Sequence, residues 1–367
     1  MLTEAELTEA EILALHRALV GIRSVSGEEA AIAEFVERFL KDRGAAAERI
    51  GESVLALAGS GPVLLLDTHL DTVPPAPGWQ RDPFTATVED TRVYGLGAND
   101  AKAAAAAMIA AFLAVAGEGL PLTVALALVE GEETKGIGTE RVLATLGERA
   151  LAPAAAVVGE PTGLDLAVAE KGLLVLELVA RGDACHAAHA RALGARNAVR
   201  LLARDLVALE ALDMGPPHPL LGPATLEPTR LEGGTARNVV PAEARVVLDG
   251  RVTPALDGGE LARRVRALAG SCEVRVLSDR LKPREVAETA AIVRAARAAR
   301  PEARLYGSPT LSDWARLDGV PAVKCGPGES RRSHTADEYV LEEEVLAGAR
   351  FYVDLVREAA RLMGGPA

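Results

Sequence analysis

Residues 62–71 read Pro-Val-Leu-Leu-Leu-Asp-Thr-His-Leu-Asp, an aliphatic run that ends in a histidine and a carboxylate. Such a near-continuous apolar run is typical of a strand that is buried on both faces of a parallel sheet. Open α/β sheets carry their functional residues at the carboxyl ends of these strands. We therefore expect His69 and Asp71 to lie at a functional edge of a sheet.

The same arrangement recurs further along the chain. The apolar run 122–129 ends in Glu130-Gly-Glu132-Glu133, and the run 154–158 ends in Gly159-Glu160. Two loops add further polar residues: Gly-Leu-Gly-Ala-Asn-Asp over 95–100, and Ser-His-Thr over 333–335 after a Gly-Pro-Gly segment. Several histidines and carboxylates are thus placed where strand ends meet, and this pattern indicates the site of a metal-dependent hydrolase.

The bulk composition argues against several classes of partner. The net charge is −12 at pH 7, whereas nucleic acids and anionic membranes are bound by basic patches. The start lacks the basic and apolar regions of a signal peptide. Three widely spaced cysteines, at 185, 272 and 325, do not form a disulfide framework. We expect a cytoplasmic protein with no nucleic-acid or membrane partner.

The order of predicted elements indicates two domains. Up to about residue 170, helix and strand patterns alternate, which predicts a mostly parallel sheet flanked by helices. Residues 172–278 follow the order β-α-β-β-α-β of a ferredoxin-like unit, and the alternation returns after residue 281. The predicted fold is α/β, with a discontinuous metal-binding domain (1–171 plus 279–367) interrupted by a smaller domain (172–278).

The candidate residues have the chemistry of a two-metal centre. Imidazole nitrogens and carboxylate oxygens together suit zinc, with cobalt or manganese as alternatives. Two such ions can activate a water and stabilise the charge that develops during its attack. The candidates are enough for two metal ions and one base: His69, Asp71, Asp100, Glu132, Glu133, Glu160 and His334.

These segments resemble a known family. The segments at 69–74, 95–102, 132–133, 159–162 and 333–338 are similar, in the same order, to the metal-site segments of the M20 metallopeptidases. That family includes acetylornithine deacetylases, succinyl-diaminopimelate desuccinylases, aminoacylases and carboxypeptidases. The resemblance covers nearly the whole chain and implies a zinc-exopeptidase-like fold.

The resemblance also implies a role for each candidate. Asp100 is expected to bridge two divalent ions, most simply Zn²⁺. His69 and Glu160 would complete one site, and Glu133 and His334 would complete the other.

Two further carboxylates have roles outside the ligand set in this resemblance. Asp71 would orient the imidazole of His69. Glu132 would be the general base, which takes a proton from the water and delivers it to the leaving amine.

In the inserted domain, the resemblance implies a lid that also forms a homodimer. His186 would reach the active site of the partner subunit and donate a hydrogen bond to the developing oxyanion. Asn238 and Arg251 would hold the substrate, because a guanidinium can bind an α-carboxylate through two parallel hydrogen bonds. His16, His189 and His218 are interpreted as structural or surface residues.

We expect an enzyme that removes an N-acyl group from an amino acid, with N-acetylornithine as the first candidate substrate and arginine biosynthesis as its pathway. The alternatives are acetylcitrulline, carrier-linked lysine or succinyl-diaminopimelate as substrate, and a dipeptidase or carboxypeptidase activity at the same site. A non-catalytic relative that only binds amino-acid derivatives is disfavoured, because all five ligand candidates and the candidate base are present.

Overall fold

The computed structural model describes residues 6–365. The helices in this range are α1 (Glu9–Val20), α2 (Ala30–Asp42), α3 (Lys102–Val115), α4 (Ile137–Glu148), α5 (Ala198–Ala208), α6 (Gly258–Leu268), α7 (Ala291–Ala299) and α8 (Glu342–Met363). The strands are β1 (Ala47–Ile50), β2 (Ser53–Gly59), β3 (Val63–His69), β4 (Thr87–Glu89), β5 (Arg92–Tyr94), β6 (Thr123–Val129), β7 (Pro153–Val158), β8 (Leu166–Glu170), β9 (Gly172–Arg181), β10 (Thr225–Gly233), β11 (Glu243–Val252), β12 (Cys272–Leu281), β13 (Arg284–Glu285), β14 (Leu305–Ser308), β15 (Ala322–Lys324) and β16 (Tyr339–Leu341).

The chain divides into two compact units. The first unit runs to Val168 and resumes over Val286–Tyr306 and from Ser312 onward, and the second comprises Ala169–Glu285 and Gly307–Leu311. The second unit is wider than the 172–278 expected from the sequence. It also includes the short segment 307–311, where the carbonyl of Ser308 accepts the N–H of Lys171 at 3.3 Å.

The sheet of the first unit is mixed, with parallel strands at its centre. Its order is β1-β2-β6-β3-β7-β15-β8, and β6, β3, β7 and β15 run parallel to one another. β3 and β6 are buried along their whole length, as their aliphatic sequences predict. His69 pairs with Val129, and Asp67 pairs with Val158, so the carboxyl ends of three strands lie side by side at one edge.

Helix α3 is buried on all sides. Every one of its residues except Ala114 is buried, which is typical of a helix that is apolar all round. It contacts β3 and β6 of the sheet as well as helices α1 and α8. Alanine side chains allow this close packing, and the helix begins directly after the loop that carries Asp100. Neither α3 nor any other helix between residues 6 and 365 is long and apolar enough to cross a membrane.

The second unit is built on a four-stranded antiparallel sheet of order β10-β11-β9-β12. Helix α5 follows β9 and helix α6 follows β11, so the elements have the order β-α-β-β-α-β. Burial alternates along β11, as it does in a sheet with one face against a core. Leu202 of α5 and Leu261 of α6 join the buried residues of the sheet in one hydrophobic cluster.

The mixed α/β fold predicted from the sequence is confirmed. The sequence pattern did not predict helix α4, strands β1, β8, β13 and β14, or the small antiparallel sheet β16-β5-β4. Helix α4 buries only Gly138, Thr139, Val142 and Leu146, so its apolar pattern is weak. The strands of the small sheet are three residues long, which is too short to show an alternating pattern.

Candidate metal centre

His69 is the last residue of β3, and it is only 2% exposed. Its Nδ1 lies 2.8 Å from the main-chain carbonyl oxygen of Asp71. Because a carbonyl can only accept, Nδ1 carries a proton, which leaves Nε2 as the ring nitrogen that could bind a metal ion. Nε2 lies 3.3 Å from Oδ1 of Asp100 and 3.9 Å from Oε1 of Glu160. This orientation suits a metal ligand.

The carboxylate of Asp71 holds the loop that carries the two glutamates. Its Oδ1 accepts the N–H of Glu132 at 3.0 Å, and its Oδ2 accepts the N–H of Glu133 at 3.2 Å. The carboxylate oxygen Oδ1 lies 3.6 Å from Nδ1 of His69, farther than the main-chain carbonyl oxygen. Asp71 therefore contacts the imidazole mainly through its backbone and the glutamate loop through its side chain.

Asp100 faces both histidines. Its Oδ1 lies 3.3 Å from Nε2 of His69, and its Oδ2 lies 3.7 Å from Nε2 of His334. The side chain is 10% exposed, and the peptide bond between Asp100 and Ala101 is cis. A carboxylate that directs one oxygen to each of two imidazoles has the geometry of a bridging ligand.

His334 is the exposed member of the cluster, and it pairs with Glu133. Nε2 of His334 lies 2.9 Å from Oε1 of Glu133, and the side chain of His334 is 52% exposed. The hydrogen bond with Glu133 raises the pKa of His334 to about 9. The backbone of His334 has φ = 61°, a left-handed conformation that non-glycine residues seldom adopt and that often occurs at functional sites.

Glu132 and Glu160 lie with His69 on the inner side of the cluster. Ligand atoms of these three residues lie within 4.8 Å of one another, and the same holds for His69, Asp100 and Glu133. Burial, and then the charge of Glu160, raises the pKa of Glu132 well above its ordinary value. Burial, and then the charge of Asp100, raises the pKa of Glu160 to about 8.

The cluster fits divalent metal ions. Several carboxylates are crowded together in a buried place, and the raised pKa values of Glu132 and Glu160 reflect the cost of holding negative charge there without a cation. The donor atoms are imidazole nitrogens and carboxylate oxygens, which suit zinc and similar ions. Distance alone groups Glu132 with His69 and Glu160. Five other candidate donors, His69, Asp100, Glu133, Glu160 and His334, remain if Glu132 is not a ligand.

The sequence analysis assigned no role to Glu338 and Asn99, which hold the Asp100 loop. Oε1 of Glu338 accepts the N–H groups of Asn99 and Asp100, both at 2.9 Å, and Glu338 is 2% exposed. The amide of Asn99 accepts the N–H of Glu329 at 2.9 Å and donates to its carbonyl at 3.1 Å. Two loops that carry metal ligands are thereby joined. The only sequence signal was the proximity of these residues to Asp100 and His334.

His16 also supports the Asp100 loop. It is fully buried on α1, and its Nε2 donates to the carbonyl of Ala98 at 2.8 Å. Burial lowers the pKa of His16 to about 4, so the imidazole is neutral at pH 7. This contact agrees with the structural role predicted for His16.

The three candidates of the second unit lie on two parts of it. His186 is exposed, and the N–H of the next residue donates to the carbonyl of Asn238 at 2.8 Å, so these two candidates lie on adjacent segments. Arg251 lies on β11, where it donates to Asp249 at 2.7 and 3.2 Å. A substrate carboxylate would have to share or replace that partner.

Comparison with known proteins identifies the family. The model of Peptidase family M20/M25/M40 matches residues 65–358 of this chain. The succinyl-diaminopimelate desuccinylase of Alkalilimnicola ehrlichii is 30% identical over 381 residues, which cover 96% of this chain and 100% of that protein.

Solved structures share the fold. The M20 family metallo-carboxypeptidase Sso-CP2 from Sulfolobus solfataricus superposes with a TM-score of 0.76 at 19% identity, over 96% of this chain and 100% of that one. The YXEP protein of Bacillus subtilis, described as a dinuclear metal binding peptidase, gives a TM-score of 0.72 at 17% identity, over 97% and 98%. The family predicted from the sequence is thus confirmed: this chain belongs to peptidase family M20 and is a hydrolase that acts on amide bonds.

Proposed function

We propose that this protein hydrolyses the amide bond of an N-acyl amino acid, with Glu132 as the general base. The observation that carries the proposal is the position of Glu132. Its main chain is fixed by Asp71, and its carboxylate lies within 4.8 Å of ligand atoms of His69 and Glu160. Its raised pKa also brings the carboxyl closer to neutral pH, where a general base works best.

In this proposal, His69, Asp100 and Glu160 hold one divalent ion, and Asp100, Glu133 and His334 hold the other. When bound, the two ions would polarise the scissile carbonyl and make the attacking water more acidic. Zn²⁺ is the first choice, and Co²⁺ or Mn²⁺ are alternatives. Glu132 takes the proton from the water and passes it to the amine that leaves.

The second unit would complete the site. We propose that it forms the lid and the homodimer contact, that His186 stabilises the oxyanion in the partner subunit, and that Asn238 and Arg251 bind the substrate. The exposed position of His186 is compatible with reaching another subunit. Mixing subunits that carry Glu132→Gln with subunits that carry His186→Ala should restore some turnover if the histidine acts across a dimer.

N-acetylornithine remains the first candidate substrate, on the basis of the segments at 69–74 and 95–97. Succinyl-diaminopimelate is the second candidate, because a relative with that activity in its name matches this chain over its full length. A carboxypeptidase or dipeptidase would use the same chemistry on a peptide. The cytoplasmic location and the place in arginine biosynthesis stay predictions.

A panel of substrates tests the proposal. N-acetylornithine, N-acetylcitrulline, N-succinyl-diaminopimelate, N-acetylmethionine and several dipeptides are incubated with protein loaded with Zn²⁺ or Co²⁺, with and without a chelator. We expect turnover of one acyl amino acid that the chelator abolishes. Turnover of dipeptides alone would replace the deacylase with a peptidase. No turnover by protein that holds two metal ions would contradict the proposed function for this panel.

A further inference from the structure

The loop between β6 and α4 carries both Glu132 and Glu133, but its internal bonds are few. Gly131 and Gly136 delimit it, with φ values of 70° and 57°. Within it, the carbonyl of Gly131 accepts the N–H groups of Thr134 at 3.3 Å, Lys135 at 3.0 Å and Gly136 at 2.5 Å, and the hydroxyl of Thr134 at 3.4 Å. Bonds that converge on one carbonyl close the loop but do not orient the two glutamates. Contacts from outside the loop must do so.

Asp71 supplies these contacts for the first half of the loop, through the N–H groups of Glu132 and Glu133. Among the described residues, the hydrogen bonds from the loop to the Asp71 carboxylate come from its first half. The second half leads into α4. A side chain from a distant part of the sequence lies there instead.

The guanidinium of Arg316 contacts the second half. Arg316 ends a short 3₁₀ helix, Asp313–Arg316, and its side chain is only 7% exposed. Its Nη2 donates to the main-chain carbonyl of Lys135 at 2.5 Å, and its Nη1 donates to the carboxylate of Glu140 on α4. Its Nε lies 3.6 Å from Oδ1 of Asp313. A buried guanidinium that binds a main-chain carbonyl restrains the backbone as well as neutralising charge.

Gly136 leaves room for this contact. A Cβ atom at this position would overlap the guanidinium of Arg316, and the φ of 57° is disfavoured for residues with a side chain. The positive φ favours glycine in this turn, and an added Cβ would also have to displace the guanidinium of Arg316. The loop and the 3₁₀ helix are in close contact at this point.

We propose that Arg316 is a positioning residue, which fixes the second half of the 131–136 loop so that Glu132 and Glu133 face the metal centre. The inference rests on the proposed function, because it takes Glu132 as the base and Glu133 as a ligand. Asp71 and Arg316 then hold the loop from its two ends, each through main-chain atoms. Without Arg316, the loop would be held at one end only, and its two glutamates would gain freedom.

The variant Arg316→Met tests the proposal, since it keeps a long apolar side chain and removes the guanidinium. Hydrogen–deuterium exchange of the metal-free protein reports on the loop, and titration with Co²⁺, followed by visible absorption, reports on the two metal sites. We expect faster exchange in the peptide that covers 131–136. We also expect the second Co²⁺ to bind about tenfold more weakly while the first is unchanged.

Turnover adds a third measurement. On the panel substrate that the wild-type protein hydrolyses fastest, kcat of Arg316→Met should fall about ten- to a hundredfold. KM should change little, because the loop carries no residue assigned to substrate binding. A loss of fold would instead lower the fraction of active protein and change exchange throughout the chain.

Two variants serve as controls. Arg149→Met removes another arginine next to α4, one that pairs with Glu48, and should leave loop exchange and Co²⁺ affinity unchanged. Arg316→Lys should recover part of the loss, because an ammonium group can still donate to the carbonyl of Lys135. If Arg316→Met does not fold, Arg316→Lys takes its place, with the same losses expected at a smaller size.

The outcomes separate this inference from the proposed function. Wild-type loop exchange and wild-type affinity for both Co²⁺ ions in a folded Arg316→Met protein would overturn the role of Arg316. Equal acceleration of exchange across the whole chain would overturn it as well. If the wild-type protein hydrolyses no panel substrate, the proposed function fails, whereas exchange and Co²⁺ binding still decide the role of Arg316.

Discussion

The two halves of the metal centre differ in how the chain builds them. In the buried half, His69 ends a central strand and is 2% exposed, and its Nδ1 is bound to a main-chain carbonyl. In the open half, His334 lies in a loop with φ = 61°, and its side chain is 52% exposed. Glu160 is assigned to the buried half with His69 and Glu133 to the open half with His334; their side chains are 12% and 11% exposed, so the difference in exposure lies in the two histidines.

Because of this difference, one site can hold a metal ion firmly and still be open to substrate. A ligand at the end of a buried strand moves only if the sheet moves, whereas a ligand in an exposed loop can move by local opening. We therefore expect the buried half to retain its ion and the open half to exchange it. Variants at the following residues test whether the two halves differ in this way.

The largest effect is expected from Glu132→Gln, which changes the base and no proposed ligand. Turnover should fall by about 10²–10⁴-fold, because an amide cannot take the proton from water. Both halves should still bind metal, as measured by elemental analysis. Glu130→Gln, in the same segment, is the matched control and should stay active. Near-normal turnover of Glu132→Gln would contradict its role as base.

Removing one histidine at a time tests the contrast directly. His334→Ala should weaken the second ion by about a hundredfold or more and leave the first in place, because only the open half loses a ligand. His69→Ala should weaken the ion that is otherwise bound more tightly. Calorimetric titration with Zn²⁺ measures both affinities. If the two variants lose the same ion to the same extent, the halves are not distinct.

Glu338→Ala should affect both halves alike. Its carboxylate holds the N–H groups of Asn99 and Asp100, and Asp100 is the residue proposed to be shared between the two ions. We expect the affinities for both ions to fall about tenfold, as measured by competition with a chelator. Glu342→Ala, which breaks an ion pair with Arg17 at the start of α8, is the control. A loss confined to one ion would argue against this shared role.

The smallest effect concerns the stability of the metal-free protein. The pKa values of Glu160 and Glu338 rise from 4.5 to about 8, through burial and then the charge of Asp100. The folded state therefore binds more protons than the unfolded state between these values, and its stability falls as pH rises from 4.5 to 8. His334 acts in the same direction between 6.5 and about 9.

A thermal melt checks this pH dependence. The metal-free protein should melt a few degrees higher at pH 6 than at pH 8.5, and Zn²⁺ should raise the melting temperature more at the higher pH. A metal-free protein that is more stable at pH 8.5 would contradict the sign of these shifts.

The buried strands and the residues that follow them could be predicted from the sequence, because aliphatic runs and polar strand ends are local patterns. The structure brings into one cluster six residues that the sequence predicts for the site: His69, Asp100, Glu132, Glu133, Glu160 and His334. The supporting residues were not predictable in the same way. Glu338 and Arg316 act on main-chain groups 238 and 181 positions away, and such contacts leave no local pattern.

Helix α4 was missed for a related reason. It buries few apolar residues. It begins directly after Gly136, next to the side chain of Arg316, which comes from another part of the chain. The roles of His186, Asn238 and Arg251 depend on a complete assembly with substrate, and they stay predictions.

The alanines of α3 have a consequence for tolerance to mutation. A Cβ atom on Gly159 would come within 3.0 Å of the methyl group of Ala104, so the segment before Glu160 rests on one of the smallest side chains of the helix. Asp100 precedes that helix, and valine at position 104 would find no space without shifting its neighbours. A scan of all substitutions should therefore find inert alanines in α3 nearly as intolerant of change as the charged ligands. In this enzyme, a side chain that takes no part in the chemistry can still be intolerant of substitution.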